Sequence, residues 1–279
     1  MKKISLGFSP CPNDTFMFDA MVHHKIDTED LEFELFMHDV ELLNQKAFSQ
    51  SLDVTKISFH AFAFAVENYV LLNSGSALGF GVGPLLIGKN KIDNPLQIIK
   101  DQRIAIPGKF TTANFLLGLA LPQAQNKTEI LFSKVEEDVL NGLFDFGLII
   151  HESRFTFQER GLVEILDLGD FWQNLTNLPL PLGGIVIKRD LDLELQLKIQ
   201  RVLKRSIVFA FDYPESGIEF IRQNAAEMDE EVMYKHINLY VNKYSLDLGE
   251  EGKLAIQTLF KKANELSIIP KSDKSLFLN

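Results

Sequence analysis

The chain has 279 residues, 46% hydrophobic and 24% charged, the balance of an ordinary globular protein with one large or two moderate domains. A net charge of −10 argues against a nucleic-acid phosphate partner, which needs a basic face, but leaves room for a small anion held by local donors. The apolar run after Met1-Lys2-Lys3 is too short for a secretory core, and no stretch reaches the roughly 18–20 apolar residues of a membrane span. The only cysteine, Cys11, cannot form an intrachain disulfide. These features predict a cytoplasmic protein with no membrane partner.

Ile4 to Phe8 reads as a first strand and Phe16 to Val22 as a first helix. Between them lies Ser9-Pro10-Cys11-Pro12-Asn13-Asp14-Thr15, where two prolines end the strand and Asn13, Asp14 and Thr15 offer helix caps. Leu31 to Met37 alternates as a strand, Asp39 to Gln50 is helical with Asp39 as cap, Asp53 to Ser58 is a short strand, and Phe59 to Val66 a helix. This strand–helix alternation predicts a parallel sheet with crossover helices. Gly79, Gly81 and Gly83 do not form a dinucleotide-binding fingerprint, so Ala77 to Lys89 reads as a close-packed strand leaving the first domain.

A second unit opens near Asp93, with a short helix over Pro95 to Lys100 and a strand over Arg103 to Pro107. A polar turn, Gly108 to Asn114, precedes a helix from Phe115 to Leu121. Glu129 to Ser133 reads as a strand, Val135 to Gly142 as a helix and Asp145 to Glu152 as a strand. The stretches 52–60 and 144–151 sit in equivalent places, which predicts two α/β lobes on one plan. Pro84 to Lys89 and Leu182 to Lys188 also match, as strands of a two-stranded hinge. From Leu191 onward the pattern is helical.

Ligands of open parallel sheets bind beyond the carboxyl ends of strands. That rule selects the Asn13-Asp14-Thr15 turn, the Lys56-Ile57-Ser58 end, the Lys109 to Asn114 turn and the His151-Glu152 end, facing one cleft if the lobes oppose. His151 follows an uncharged run, Phe146 to Ile150, and reads as a general base or as a buried histidine bonded to a carbonyl. Ser58 lacks a nucleophile elbow and reads as a binding hydroxyl. Thr111 and Thr112 read as an anion site or as plain caps, and Glu152 and Arg154 as a pair with each other or with solvent. The remaining histidines, His23, His24, His38, His60 and His236, form no metal-binding spacing, so no metal is expected. Cys11 reads as a structural thiol or a reactive one at a helix N-terminus.

Ser9-Pro-Cys-Pro-Asn-Asp-Thr-Phe16, Asp53-Val-Thr-Lys-Ile-Ser58, Thr111-Thr112 and Ile150-His-Glu152, in this order, resemble the 1,4-dihydroxy-6-naphthoate synthases of the futalosine route to menaquinone. The resemblance runs over essentially the whole chain. It implies a two-lobed, periplasmic-binding-protein-like type II α/β fold, each lobe a mainly parallel sheet flanked by helices with a cleft between lobes. The larger lobe would comprise 1–88 with 185–279 and the smaller 89–184, with hinge strands near 84–89 and 182–188. It further implies conversion of cyclic dehypoxanthinyl futalosine to the naphthoate without metal or organic cofactor. His151 matches the family's proposed base, and Lys56, Ile57, Ser58, Thr111 and Thr112 match its substrate-contacting segments. Asn13 and Asp14 are added here as cleft residues. A chorismate dehydratase-like sister enzyme and a non-catalytic small-carboxylate binding protein remain as alternatives, and the sequence does not specify an oligomeric state.

Overall fold

The computed structural model describes residues 2–92, 99–225 and 229–279. In chain order the elements are β1 (Lys2–Phe8), α1 (Pro12–Val22), β2 (Leu31–Met37), α2 (Val40–Phe48), β3 (Val54–Ser58), α3 (Phe59–Ala65), β4 (Tyr69–Leu71), β5 (Ala77–Gly79), β6 (Leu85–Gly88) and β7 (Ile104–Ile106). They continue with α4 (Thr112–Ala120), β8 (Lys127–Glu129), α5 (Val135–Leu140), β9 (Phe146–Ile149), α6 (Ser153–Thr156), β10 (Val163–Asp167), α7 (Leu168–Thr176) and β11 (Leu180–Lys188). The chain closes with α8 (Leu193–Asp212), α9 (Ile218–Asn224), α10 (Glu230–Tyr240), α11 (Lys243–Leu246) and α12 (Gly249–Glu265). The chain divides into two units, Met1–Gly79 with Pro181–Asn279, and Phe80–Leu180. Among the described residues no helix is long and apolar enough to cross a membrane.

The sheet of the first unit has the order β2-β1-β3-β11-β4, with β5 attached to β11. Ile4, Leu6 and Phe8 of β1 alternate into the core, as the period-2 pattern requires. Every residue of β3 is buried, because β1 and β11 flank it. Helix α1 is buried along nearly its whole length, which explains its lack of a polar face. Its Phe18 stacks on Phe8 with ring centroids 4.6 Å apart. Ser206 of α8 locks onto it, donating to the Met17 carbonyl at 2.6 Å and accepting from the Met21 amide at 3.1 Å.

The sheet of the second unit has the order β8-β7-β9-β6-β10. The two sheets share one plan. In each, the central strand (β3 or β9) pairs parallel with a neighbour (β1 or β7) that itself pairs parallel with an edge strand (β2 or β8). On its other side the central strand pairs antiparallel with β11 or β6, which in turn pairs antiparallel with β4 or β10. The echo between 52–60 and 144–151 therefore marks the two central strands. Leu85, Ile87, Val135, Val139, Ile149, Phe157 and Leu162 form much of the second core. Trp172 of α7 is fully buried, its indole donating to the Pro179 carbonyl at 3.2 Å.

Several local expectations need correction. Both sheets are mixed rather than mainly parallel. Parallel pairing needs a crossover connection, and neither β11 nor β6 ends a strand–helix–strand crossover within its own sheet. Helix α1 begins at Pro12, not Phe16. Cys11 is its N-cap in extended conformation, and Pro12 takes the first helical position, where a missing N–H costs nothing. Asn13, Asp14 and Thr15 thus lie inside the first turn. Ala77 to Lys89 forms two strands in different sheets, and the segments read as hinge strands likewise lie in different sheets. The strand expected at Glu129 to Ser133 is instead β8, paired from Lys127 to Glu129, and Phe132–Lys134 is a 3-10 turn into α5. Strand β9 stops at Ile149 because His151 adopts φ 59°, which leaves the extended region. The helix expected over Pro95 to Lys100 falls largely outside the described residues.

Candidate active site

In the first unit, β1 and β3 are parallel neighbours with Gly7 opposite Thr55. Their carboxyl ends bring Ser9, Asn13 and Asp14 beside Lys56. Asp14 Oδ1 accepts from Lys56 Nζ at 2.6 Å and from Asn13 Nδ2 at 2.9 Å. Asp14 Oδ2 accepts from the Ser9 amide at 3.1 Å and the Ser9 hydroxyl at 2.7 Å. The Lys56 and Asp14 side chains are only 8% and 1% exposed. An ion pair this buried is tolerated because the carboxylate's lone pairs are all met by donors. Ser58 is held by Asn44 of α2, whose Oδ1 accepts from the Ser58 amide at 3.0 Å and whose Nδ2 donates to its hydroxyl at 3.4 Å. Ile57 is fully buried within β3.

Two participants here were missed by the sequence reading. Asn44 is the first, and His236 of α10 is the second, its Nε2 lying 2.9 Å from Asn13 Oδ1. Local pattern carries no signal for a contact spanning 223 residues.

In the second unit, β7 and β9 repeat the arrangement, with Ala105 opposite Gly147. Thr111 caps α4: its hydroxyl accepts from the Asn114 amide at 3.2 Å and donates to the Gly108 carbonyl at 2.8 Å. Thr112, also buried, is the first helical residue. Asn114 joins the turn to β8, donating to the Lys109 carbonyl at 2.8 Å and accepting from Lys127 Nζ at 3.0 Å. Burial pushes the Lys127 ammonium's pKa down.

His151 lies two residues beyond β9, in the left-handed region, with its ring edge-on to Phe132 at 5.0 Å. A left-handed non-glycine residue is a strained conformation of the kind that collects at functional sites. Arg154 braces this turn from α6. It donates to the Gly83 carbonyl at 2.9 Å and to Asp167 Oδ2 at 2.6 Å. Asp167 in turn caps α7 through the Gly169 and Asp170 amides. Arg154 therefore pairs with Asp167, not with Glu152 or solvent as the sequence suggested.

The structure thus groups Asn13, Asp14, Lys56, Ile57 and Ser58 at the strand ends of one unit, and Thr111, Thr112 and His151 at those of the other. The first group offers an ammonium with three donors, one of them on Asp14. The second offers an imidazole just past β9 and, separately, a helix N-terminus capped by Thr111.

Residues 4–265 match the model of a family described as menaquinone biosynthesis. A 1,4-dihydroxy-6-naphthoate synthase of Thermus thermophilus is 42% identical over 278 residues, covering 100% of both chains. One of Streptomyces coelicolor is 33% identical, covering 96% of this chain and 95% of its own. A crystal structure of a protein from Archaeoglobus fulgidus superposes with a TM-score of 0.90 at 38% identity, covering 96% of this chain and 98% of that one. The periplasmic aliphatic sulphonate binding protein of Escherichia coli gives a TM-score of 0.65 at 11% identity over 97% of this chain and 89% of that one, a likeness of fold alone. With a periplasmic-binding-protein-like fold and full-length similarity to these synthases, the chain belongs to the menaquinone biosynthesis family of enzymes.

Proposed function

We propose that the chain is a carbon–carbon lyase that converts cyclic dehypoxanthinyl futalosine to 1,4-dihydroxy-6-naphthoate in the cytoplasm, with His151 as general base and no metal or organic cofactor. The observation that carries the reaction is the 42% identity to a 1,4-dihydroxy-6-naphthoate synthase over the full length of both chains. The strained turn that presents His151 after an apolar strand supports its role. Neutral imidazole removes a proton from the bound substrate. The oxyanion that develops is stabilised by N–H and hydroxyl donors near Ser58, Thr111 and Thr112. Formation of the aromatic naphthol ring then drives carbon–carbon cleavage and release of the sugar-derived fragment. Asn13, Asp14, Lys56 and Ile57 complete the substrate-binding set.

The test incubates the full chain with cyclic dehypoxanthinyl futalosine and follows the naphthoate by chromatography and mass spectrometry. Wild type forms the product, and His151→Ala loses turnover by at least about 100-fold, the lower range for general-base removal, while still binding substrate. Absence of product with wild type overturns the reaction. Retained turnover in the variant overturns the role of His151 alone.

A further inference from the structure

We propose that His236 is a positioning residue for substrate binding, acting through the Asn13 amide on the Asp14–Lys56 pair. This rests on the reading of Asn13, Asp14 and Lys56 as substrate-binding residues.

The argument begins with Asp14. Paired with Lys56, its carboxylate is an acceptor only. The Asn13 amide group that faces it at 2.9 Å must therefore be the NH2 end. That leaves Asn13 Oδ1 facing His236 Nε2 at 2.9 Å, so Nε2 carries a hydrogen and donates. Both the Nε2–H tautomer and the imidazolium satisfy this requirement. A flipped amide would set its oxygen against the carboxylate, so Asp14 selects the orientation and the Nε2–H of His236 holds Oδ1 in it, which keeps one donor on Asp14 beside the Lys56 ammonium. Asn13, Asp14, Lys56 and His236 are all buried, so water is poorly placed to replace a lost member. The His236 ring also packs on Tyr240, with centroids 4.6 Å apart, which is the purely structural contribution the test must separate.

Steady-state kinetics on cyclic dehypoxanthinyl futalosine separate the two. His236→Phe keeps a ring and removes the donor. It raises KM about fivefold, the factor carried by one hydrogen bond of ordinary net strength, with kcat little changed. His236→Gln supplies an N–H donor of similar reach and restores most of that loss. In an Asn13→Ala background, His236→Phe adds nothing further, because its effect passes through Asn13. An unchanged KM in His236→Phe, no rescue by Gln, or effects that multiply in the double variant would each overturn the proposal.

Should His236→Phe fail to fold, His236→Gln and His236→Glu decide instead. They match in size but differ in donor capacity, and equal KM values overturn the proposal. The donor state is also read without turnover. By nitrogen-15 NMR the His236 Nε2–H proton is protected from exchange in wild type and loses that protection in Asn13→Ala. Protection that persists in the variant overturns the proposal, whatever reaction the enzyme performs.

Discussion

Lys56 of β3 and Asp14 in the first turn of α1 form a buried ion pair, with Nζ 2.6 Å from Oδ1. The pair is nearly neutral as a unit, and its carboxylate is bound on both oxygens. Removing one member strands the other. Lys56→Met should cost about 3 kcal/mol of stability, the lower range for breaking a buried pair. The Lys56→Met/Asp14→Asn double variant should recover much of that loss. Urea unfolding of the three proteins checks this, and a double variant at least as unstable as the single one contradicts it.

His151 carries backbone strain that glycine would not. Its φ of 59° is a left-handed conformation that costs an ordinary residue about 1 kcal/mol. His151→Gly should therefore be more stable than His151→Ala by about that amount, while neither variant turns over. Thermal unfolding compared with the turnover assay tests both halves. Equal stability of the two variants would remove strain from the account of this turn.

Gly169 allows the start of α7 to lie against the 80–84 segment. A Cβ there would sit 2.0 Å from the Val82 carbonyl oxygen and 3.0 Å from Asp167 Oδ1. Backbone cannot yield as a side chain does, so Gly169→Ala should destabilise the second unit by about 2–3 kcal/mol. Because Asp167 also binds Arg154, the brace on the His151 turn should loosen and kcat should fall. A variant with wild-type unfolding midpoint and kcat would show that this contact is dispensable.

Asp53 should contribute an acid-sensitive component of stability. Burial pushes its carboxyl pKa up, but hydrogen bonds from the Ser5 amide and hydroxyl, with the charge of Lys188, outweigh burial and hold it below the ordinary value. A depressed folded-state pKa stabilises above the unfolded value, near pH 4, and that contribution disappears as pH falls through the folded value. Asp53→Asn should lose stability at pH 7, and the gap to wild type should narrow below about pH 4. Urea midpoints measured across that range check the sign. A gap that widens on acidification would contradict it.

How legible the molecule was depends on the range of the interaction concerned. Asp39 and Thr111 were readable as helix N-termini because a cap bonds to amides two or three residues away. The start of α1 was misplaced because three polar residues competed for the cap. Cys11, which makes no side-chain cap bond, won the position because Pro12 fits the first helical site. The strand β8 was misplaced because Ile130, Leu131 and Phe132 look like a strand. Pairing with β7 instead selects Lys127 to Glu129, in register with Ile104 to Ile106.

The sequence by itself determined the two-unit α/β plan and the strand ends that carry polar residues, because periodicity, prolines and caps act locally and repeat in both halves. It also determined the position of His151 just past an apolar strand. Only tertiary structure decided the antiparallel roles of β6 and β11, the bracing of the His151 turn by Arg154, and the network that joins His236 to Asn13, Asp14 and Lys56. Those features depend on which distant groups must satisfy one another once water is excluded, and that requirement has no local signature.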